Sequence, residues 1–431
     1  MPRKTCLMKR RAMLVLLGFG VLLGFGVLLG GAYAQTESVL HSFCAQINCN
    51  DGGGLRAGLL LDQQGNLYGT TYTGGPYNEC TKQEGCGVLF KLNPEGKETV
   101  LHSFCARGYP CTDGGNPLAG LTFDQKGNLY GTTEYGGAHG EGVAFKLTPE
   151  GKYAVLYSFC ARDNCTDGYN PAAGMVLDHK GNLYGTTPLG GADGAGVVFR
   201  LTPEGKETVL YSFCADNNCA DGYGSVAGLV LDQKGNIYGT TEYGGAGGCY
   251  GGCGVVFKLT PEGKYTVLYS FCAQSGCTDG SNPQAGLVFD QKGNLYGTIS
   301  GGGIIYNHYC PYEQGCGVVF KLTPKDKETV LYSFCPQNCA DGYFPVAGLT
   351  VDQNGNLYGT TTGGGARGAG VVFTLTSKGK ETVLYNFCAQ TNCADGANPY
   401  AGLVLDQKGN LYGTTNFGGA YESGTAFKLT P

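Results

Sequence analysis

The sequence predicts an all-β protein, a seven-bladed β-propeller of four-stranded blades, and three observations carry that expectation. Glycine makes up 77 of 431 residues, about 18% against a usual share of roughly 7%. Three short phrases recur seven times each along the chain. The chain begins and ends at different points of the repeat, so one end can complete the other. Collagen is excluded because glycine does not fall at every third position. Disorder is excluded because 42% of residues are hydrophobic and 11% aromatic. Only 15% are charged and the formal net charge is −5, so no basic surface for nucleic acid is expected.

The phrase GN(L/I)YGT begins at Gly65, Gly127, Gly181, Gly235, Gly293, Gly355 and Gly409. F(K/R/T)L begins at Phe90, Phe145, Phe199, Phe257, Phe320, Phe373 and Phe427. FC begins at Phe43, Phe104, Phe159, Phe213, Phe271, Phe334 and Phe387. Residues 35–431 therefore divide into units of about 57, near the period of propeller blades.

Each unit reads as four strands. AGLVLD (227–232) is apolar almost throughout, as expected of an innermost strand buried on both faces. GNIYGTT (235–241) follows a short turn. GVVFKLT (254–260) alternates, with Phe257 and Leu259 inward and Lys258 outward. ETVLYSF (207–213) alternates too, placing Val209, Tyr211 and Phe213 on one face. The connections DQKG and PEGK have turn chemistry, and no stretch beyond the N-terminus has a capped helical period. Seven such units arranged radially bury every face, whereas a linear stack would need polar caps. The chain starts on a fourth strand (37–43) and ends on a third (425–430). The N-terminal strand is therefore expected to complete the last blade and close the ring.

Residues 1–34 read as a secretory signal peptide, and 35–431 as one propeller domain. Arg3, Lys4, Lys9, Arg10 and Arg11 precede an apolar run, which ends at the small-residue site Ala32-Tyr33-Ala34. The alternative is an uncleaved anchor, since the run is long enough to span a bilayer. Removing the segment leaves 24 basic against 34 acidic residues, about −10. A secreted or cell-surface monomer is expected, with no membrane insertion after cleavage.

Longer stretches resemble a known family. DGYNPAAGMVLDHKGNLYGTT (167–187) followed by GAGVVFRLTPEGKETVLYSF (194–213) is similar to the tandem repeats of bacterial choice-of-anchor GloVer-containing proteins. The phrase D-x-x-G-N-(L/I)-Y is more distantly similar to NHL-type propeller repeats. The first resemblance implies export and surface display, with no established reaction. Only Thr430 and Pro431 follow Leu429, so the C-terminal anchor of that family is not expected here.

Of 21 cysteines, Cys6 lies in the signal segment and 20 fall into near-neighbour pairs. Seven pairs follow the fourth strands: Cys44–Cys49, Cys105–Cys111, Cys160–Cys165, Cys214–Cys219, Cys272–Cys277, Cys335–Cys339 and Cys388–Cys393. Cys80–Cys86, Cys249–Cys253 and Cys310–Cys316 lie in long loops between second and third strands. In an exported chain these read as disulfides; the rival reading, metal thiolates, would need four ligands per site where each loop offers two. Strand alternation puts all ten pairs at one end of the ring, where loop variation also concentrates.

Asp51, Asp113, Asp167, Asp221, Asp279, Asp341 and Asp395 each precede a glycine near the innermost strand. Seven carboxylates near a channel mouth suit a calcium ion, the one cofactor considered; alternatively each caps its own turn. Asp62 and its six equivalents end the first strand as turn caps, and the tyrosines of NLYGT pack between blades or stack on sugars. No catalytic residue is assigned. His41 and His102 replace a repeated tyrosine, His179 sits in a short turn, and His139 and His308 lie in variable loops near Glu141 and Glu313. No nucleophile–base order accompanies them. The long loops 72–87, 242–254 and 299–317 are the expected binding surface. Tyr306, His308, Tyr309 and Tyr312 are the candidate contacts for an extracellular protein or glycan. The alternative function is a secreted carbohydrate-active hydrolase or lyase with its site on the same face.

Overall fold

Each repeat forms one sheet, and the sheets follow the chain around a ring. A computed structural model describes residues 35–77, 80, 85–249, 251–304, 310 and 315–431; the expected signal segment lies outside them. The described residues form seven four-stranded antiparallel sheets. Blade one comprises Leu60–Leu61, Leu67–Thr70, Val88–Leu92 and Glu98–Ser103. The same order repeats through blade six, whose outermost strand is Glu381–Asn386. Blade seven combines Val404–Leu405, Leu411–Thr415 and Thr425–Thr430 with the N-terminal strand Thr36–Ser42. That strand pairs antiparallel with Thr425–Thr430, from Thr36↔Thr430 to Ser42↔Thr425, closing the ring as expected.

The recurring phrases are explained by one contact between neighbouring blades. The Phe of each FC packs against the Phe of the next blade's F-x-L, from Phe43–Phe90 at 4.8 Å to Phe387–Phe427 at 5.1 Å between centroids. Both rings are buried and tilted or edge-on, the favoured aromatic geometry. The second Phe ring also lies over the glycine of YGT: a Cβ on Gly239 would sit 2.7 Å from Phe257 Cζ. Only glycine leaves room for that ring. The NLYGT tyrosines do pack between blades: Tyr68 meets Phe123 of blade two edge-on at 5.2 Å. Its hydroxyl donates to Asp62 Oδ2 at 3.2 Å, while Asp62 Oδ1 accepts the amides of Gln64 and Asn66. The turn capping read for Asp62 is present in this form.

Two strand readings need correction. The innermost strand pairs over only two residues, Val230–Leu231 in blade four, and both are half-buried. The residues before it leave the ladder and run along the axis. There Ala227-Gly228 and its equivalents line a narrow channel of about 190 Å³. The outermost strand does not alternate simply. In every blade a β-bulge inserts one residue, so Phe199 faces Val209 while its neighbour Val198 faces Tyr211. Cross-strand partners share a face, so Val209 and Tyr211 point to opposite sides of the sheet. Val209 packs with Phe159 and Phe199, and Tyr211 with Val198 and Phe213.

Near the axis the blades are joined by buried hydrogen bonds. Thr132 Oγ1 donates to the Ala173 carbonyl of the next blade at 3.1 Å, and Thr414 closes the circle on Ala57 at 3.2 Å. At the periphery, five outermost strands carry a glutamate at their start: Glu37, Glu98, Glu207, Glu328 and Glu381. Tyr153 and Tyr265 take this position in blades two and four. In all five glutamates Oε1 is buried without a hydrogen-bond partner. Burial pushes each carboxyl up to about 7; for Glu328 and Glu381 the nearby Asp279 and Asp341 carboxylates add to it.

Two outcomes follow. Deleting residues 35–43 should leave an unpaired edge in blade seven, lower the melting temperature and promote aggregation; an unchanged melting temperature would contradict strand closure. A carboxyl whose pKa is higher in the fold than its ordinary 4.5 stabilises the fold while protonated. That contribution is complete below about pH 4.5 and lost as pH rises through 7. The caps such as Asp62, held below their ordinary 3.8, act at lower pH and leave this window alone. The melting temperature should therefore fall between about pH 5 and pH 8, and the double variant Glu328→Gln, Glu381→Gln should flatten that fall. Equal slopes in variant and wild type would refute the assignment.

Candidate binding face

The loops after the second and outermost strands meet at one end of the ring. Isolated bridges such as Gly115↔Tyr135 and Tyr223↔Tyr243 join them. Each loop after an outermost strand is a short cysteine turn. The described residues include all ten expected disulfides, Cys44–Cys49 through Cys388–Cys393. In the seven repeated pairs both cysteines are left-handed, with φ between 50° and 66°. Such a conformation is unfavourable for a residue with a Cβ and must be held from outside.

The seven D-G aspartates do the holding. Asp167 is fully buried; it accepts the amides of Ala161 at 2.8 Å and Arg162 at 3.1 Å, and the Tyr157 hydroxyl at 2.6 Å. The carboxylate thus reaches back to the cysteine turn instead of capping its own. The bulge makes this contact, because it re-aims the tyrosine toward the turn. Histidine replaces the tyrosine at two of the aspartates: His102 is hydrogen-bonded to Asp113 at 3.1 Å, and His41 stands 3.7 Å from Asp51. Burial alone would raise the Asp51 carboxyl, but His41 and the amides of Gln46 and Ala45 together hold it below the usual range. Each aspartate has its own donors in its own blade. Among the described residues, no group of three or more possible metal ligands brings two of the seven together.

The three additional cysteine pairs do not stand alone. Cys80–Cys86 lies against Cys105–Cys111, and Cys249–Cys253 against Cys272–Cys277, with the four Sγ atoms of each group within 4.8 Å of one another. Cys310 and Cys316 gather with Cys335 in the same way. The Cys80 and Cys111 sulfurs are 3.7 Å apart. Two loops of one blade therefore supply four sulfurs, not the two that counting by loop suggests. Adjacent third and outermost strands deliver both loops to one place. Tyr306, His308, Tyr309 and Tyr312 lie outside the described residues, as do Ile305 and Glu313. Ile304 at the start of that loop is exposed, as are His139 and His179.

Exposed residues that the sequence did not single out by name also stand on this face. Between the Thr-Thr (Thr-Ile in blade five) and Gly-Gly of each second strand's exit two positions change from blade to blade, and the second adjoins the Gly-Gly. It carries Tyr135, Leu189, Tyr243 and Phe417 in blades two, three, four and seven, with exposures of 39%, 41%, 37% and 53%. Thr73, Gly301 and Gly363 take it elsewhere. Tyr400 and Arg56 line the channel mouth. The Arg56 guanidinium stacks over Tyr72 at 4.4 Å, and the Tyr72 hydroxyl donates to Glu134 Oε2 at 3.2 Å. Gln284 donates to Glu242 at 2.8 Å across the next boundary but two. The signal was present: two varying positions between nearly constant flanks. Larger grooves, of about 770 and 490 Å³, open on the opposite face between blades seven and one and between four and five. They are lined largely by turn residues that recur in the other blades.

Non-reducing peptide mapping should find ten near-neighbour bridges and no free thiol. Partial reduction should produce exchanged pairings such as Cys80–Cys111 in blades one, four and five, and none in the others. Bridges between blades, or zinc bound with free thiols, would overturn the disulfide assignment.

The sequence matches the Gloeobacter/Verrucomicrobia repeat over residues 19–164, 79–312 and 278–431. No curated protein matches it. Among solved structures, the chain is similar to the extracellular domain of the hybrid two-component system BT4673 from B. thetaiotaomicron. The TM-score is 0.56 at 11% identity, over 92% of this chain and 40% of that one. A second structure of that extracellular domain, there called a one-component system, gives 0.52 at 11% identity, over 88% and 38%. This chain thus spans about two fifths of those structures' length, and at such identity the likeness is one of fold. The overlapping repeat matches run through all seven blades, and the chain belongs to the Gloeobacter/Verrucomicrobia repeat family.

Proposed function

We propose that this protein is an exported binding module that holds an extracellular protein or glycan on the disulfide-braced face of its propeller. The observation that carries this reading is the set of Tyr135, Leu189, Tyr243 and Phe417, exposed at one equivalent position in the loops after the second strands. Large apolar side chains kept in water on a rigid frame are what a contact surface needs. The disulfides brace the loops beside them, lowering the entropy lost when a partner docks. Ten disulfides suit an oxidising compartment, and the similar solved structures are extracellular domains. The sequence also offers Tyr309 and Tyr312, in the loop that follows the second strand of blade five.

The test is a panel of polysaccharides and surface proteins scored for retention and for product release. Tyr135→Ala with Tyr243→Ala should weaken retention about tenfold or more without lowering the melting temperature. Tyr309→Ala with Tyr312→Ala should also weaken it, while Lys234→Ala in an opposite-face turn should change nothing. Equal losses from both faces would remove this surface as the site. Release of soluble product would favour the carbohydrate-active enzyme instead.

A further inference from the structure

We propose that His41, Asp51 and Glu98 form a binding site for a divalent transition metal, zinc above all, that ties the N-terminal strand to blade one. His41 lies in Thr36–Ser42, the strand that closes the ring. Asp51 lies in the cysteine turn that follows it, and Glu98 opens the outermost strand of blade one. Three chain segments thus meet at the boundary where the propeller closes.

Imidazole nitrogen with two carboxylate oxygens is a donor set suited to zinc and its neighbours, with a fourth position left for water. His41 Nε2 stands 3.7 Å from Asp51 Oδ2 and 3.9 Å from Glu98 Oε2. Both distances are too long for hydrogen bonds. Around zinc, with bonds of about 2.0–2.2 Å, tetrahedral ligand atoms lie roughly 3.3–3.6 Å apart. For the two contacts of His41, closing on a metal therefore asks for shifts of a few tenths of an ångström. All three ligand atoms already lie within 4.8 Å of one another.

The unmet valences point the same way. His41 Nε2 and Glu98 Oε1 are both buried without a hydrogen-bond partner. The Asp51 and Glu98 side chains are only 0% and 5% exposed. Two carboxylates at such depth are poorly compensated by one imidazole, and a dication would balance them. Asp51 is already oriented by the amides of Ala45 and Gln46, the outer support that metal-binding carboxylates use. His41 is 17% exposed on its side chain, which gives the ion an approach from solvent.

The molecule carries its own control. His102 occupies the equivalent position one blade on, but there Tyr153 replaces the glutamate. The His102 ring stacks on Tyr153 at 3.8 Å, and its Nε2 reaches Asp113 Oδ2 at 3.1 Å, an ordinary hydrogen bond. The other five blades have tyrosine where His41 and His102 stand. Only the closing boundary combines histidine with both carboxylates.

The experiment is calorimetric titration of the purified protein with zinc ion, after alkylating any residual thiol so that the cysteine groups cannot contribute. One zinc per chain is expected, with a melting temperature that rises with zinc concentration. His41→Tyr, which installs the residue of the other blades, and the isosteric Glu98→Gln should each weaken binding at least about tenfold. His102→Tyr should leave it unchanged. Cobalt in place of zinc should show no thiolate charge-transfer band. The proposal fails if wild type binds no stoichiometric zinc, if either site variant binds it as tightly as wild type, or if calcium binds there and zinc does not.

Discussion

A ring of buried hydrogen bonds near the axis sets the geometry on which the other features depend. Thr70, Thr132, Thr186, Thr240, Thr298, Thr360 and Thr414 each donate to an alanine carbonyl in the next blade, the last returning to Ala57. Each is worth about 1 kcal/mol net, but an unpaired hydroxyl or carbonyl at that depth would cost more. The inner segments also crowd one another. A Cβ on Gly174 would lie 2.9 Å from the Gly120 carbonyl, and one on Gly402 2.9 Å from that of Gly348. Ring closure is therefore cooperative: each blade is spaced by its neighbours' backbone, with little tolerance for a missing member.

With spacing set at the axis, the blade interfaces need only fill it. They do so with the same paired phenylalanines at every boundary, from Phe43–Phe90 to Phe387–Phe427. This uniform interior frees the loop ends to vary. The bulge in each outermost strand turns a tyrosine or histidine onto the buried aspartate of the cysteine turn. Strained left-handed cysteines are thereby held by a side chain that belongs to the frame. Loops of quite different length can then stand on the same seven supports.

Electrostatics separates the two kinds of buried carboxyl. The aspartates are met by amides and hydroxyls, and where their pKa is displaced it is mostly downward, although Asp341 is raised by its burial. The glutamates next to them keep an unpaired oxygen and hold their protons toward neutrality. Placing both at five of the seven boundaries makes the periphery less settled than the axis. It also makes the closing boundary, with His41, chemically unlike the other six.

The sequence alone determined the number of blades, their strand count, the closure by the N-terminal strand and the pairing of cysteines. Those features repeat, and repetition averages out local ambiguity: seven copies of one phrase identify an element that one copy would leave open. The Asp62-type turns were legible for a different reason, since their hydrogen bonds span only two to four residues. Tertiary structure decided what depends on register and on contacts between units. A single inserted residue reversed the side-chain faces around Leu210, and no alternation pattern reveals that. Two cysteine pairs 25 residues apart became one group because adjacent strands of a blade end together, as Cys86 and Cys111 do. Glu98 met His41 only because the outermost strands of neighbouring blades lie side by side, across 57 residues of chain. Of the exposed Tyr135, Leu189, Tyr243 and Phe417, only Tyr243 fell within an expected loop; Tyr135, Leu189 and Phe417 look like ordinary core residues until the fold leaves them in water.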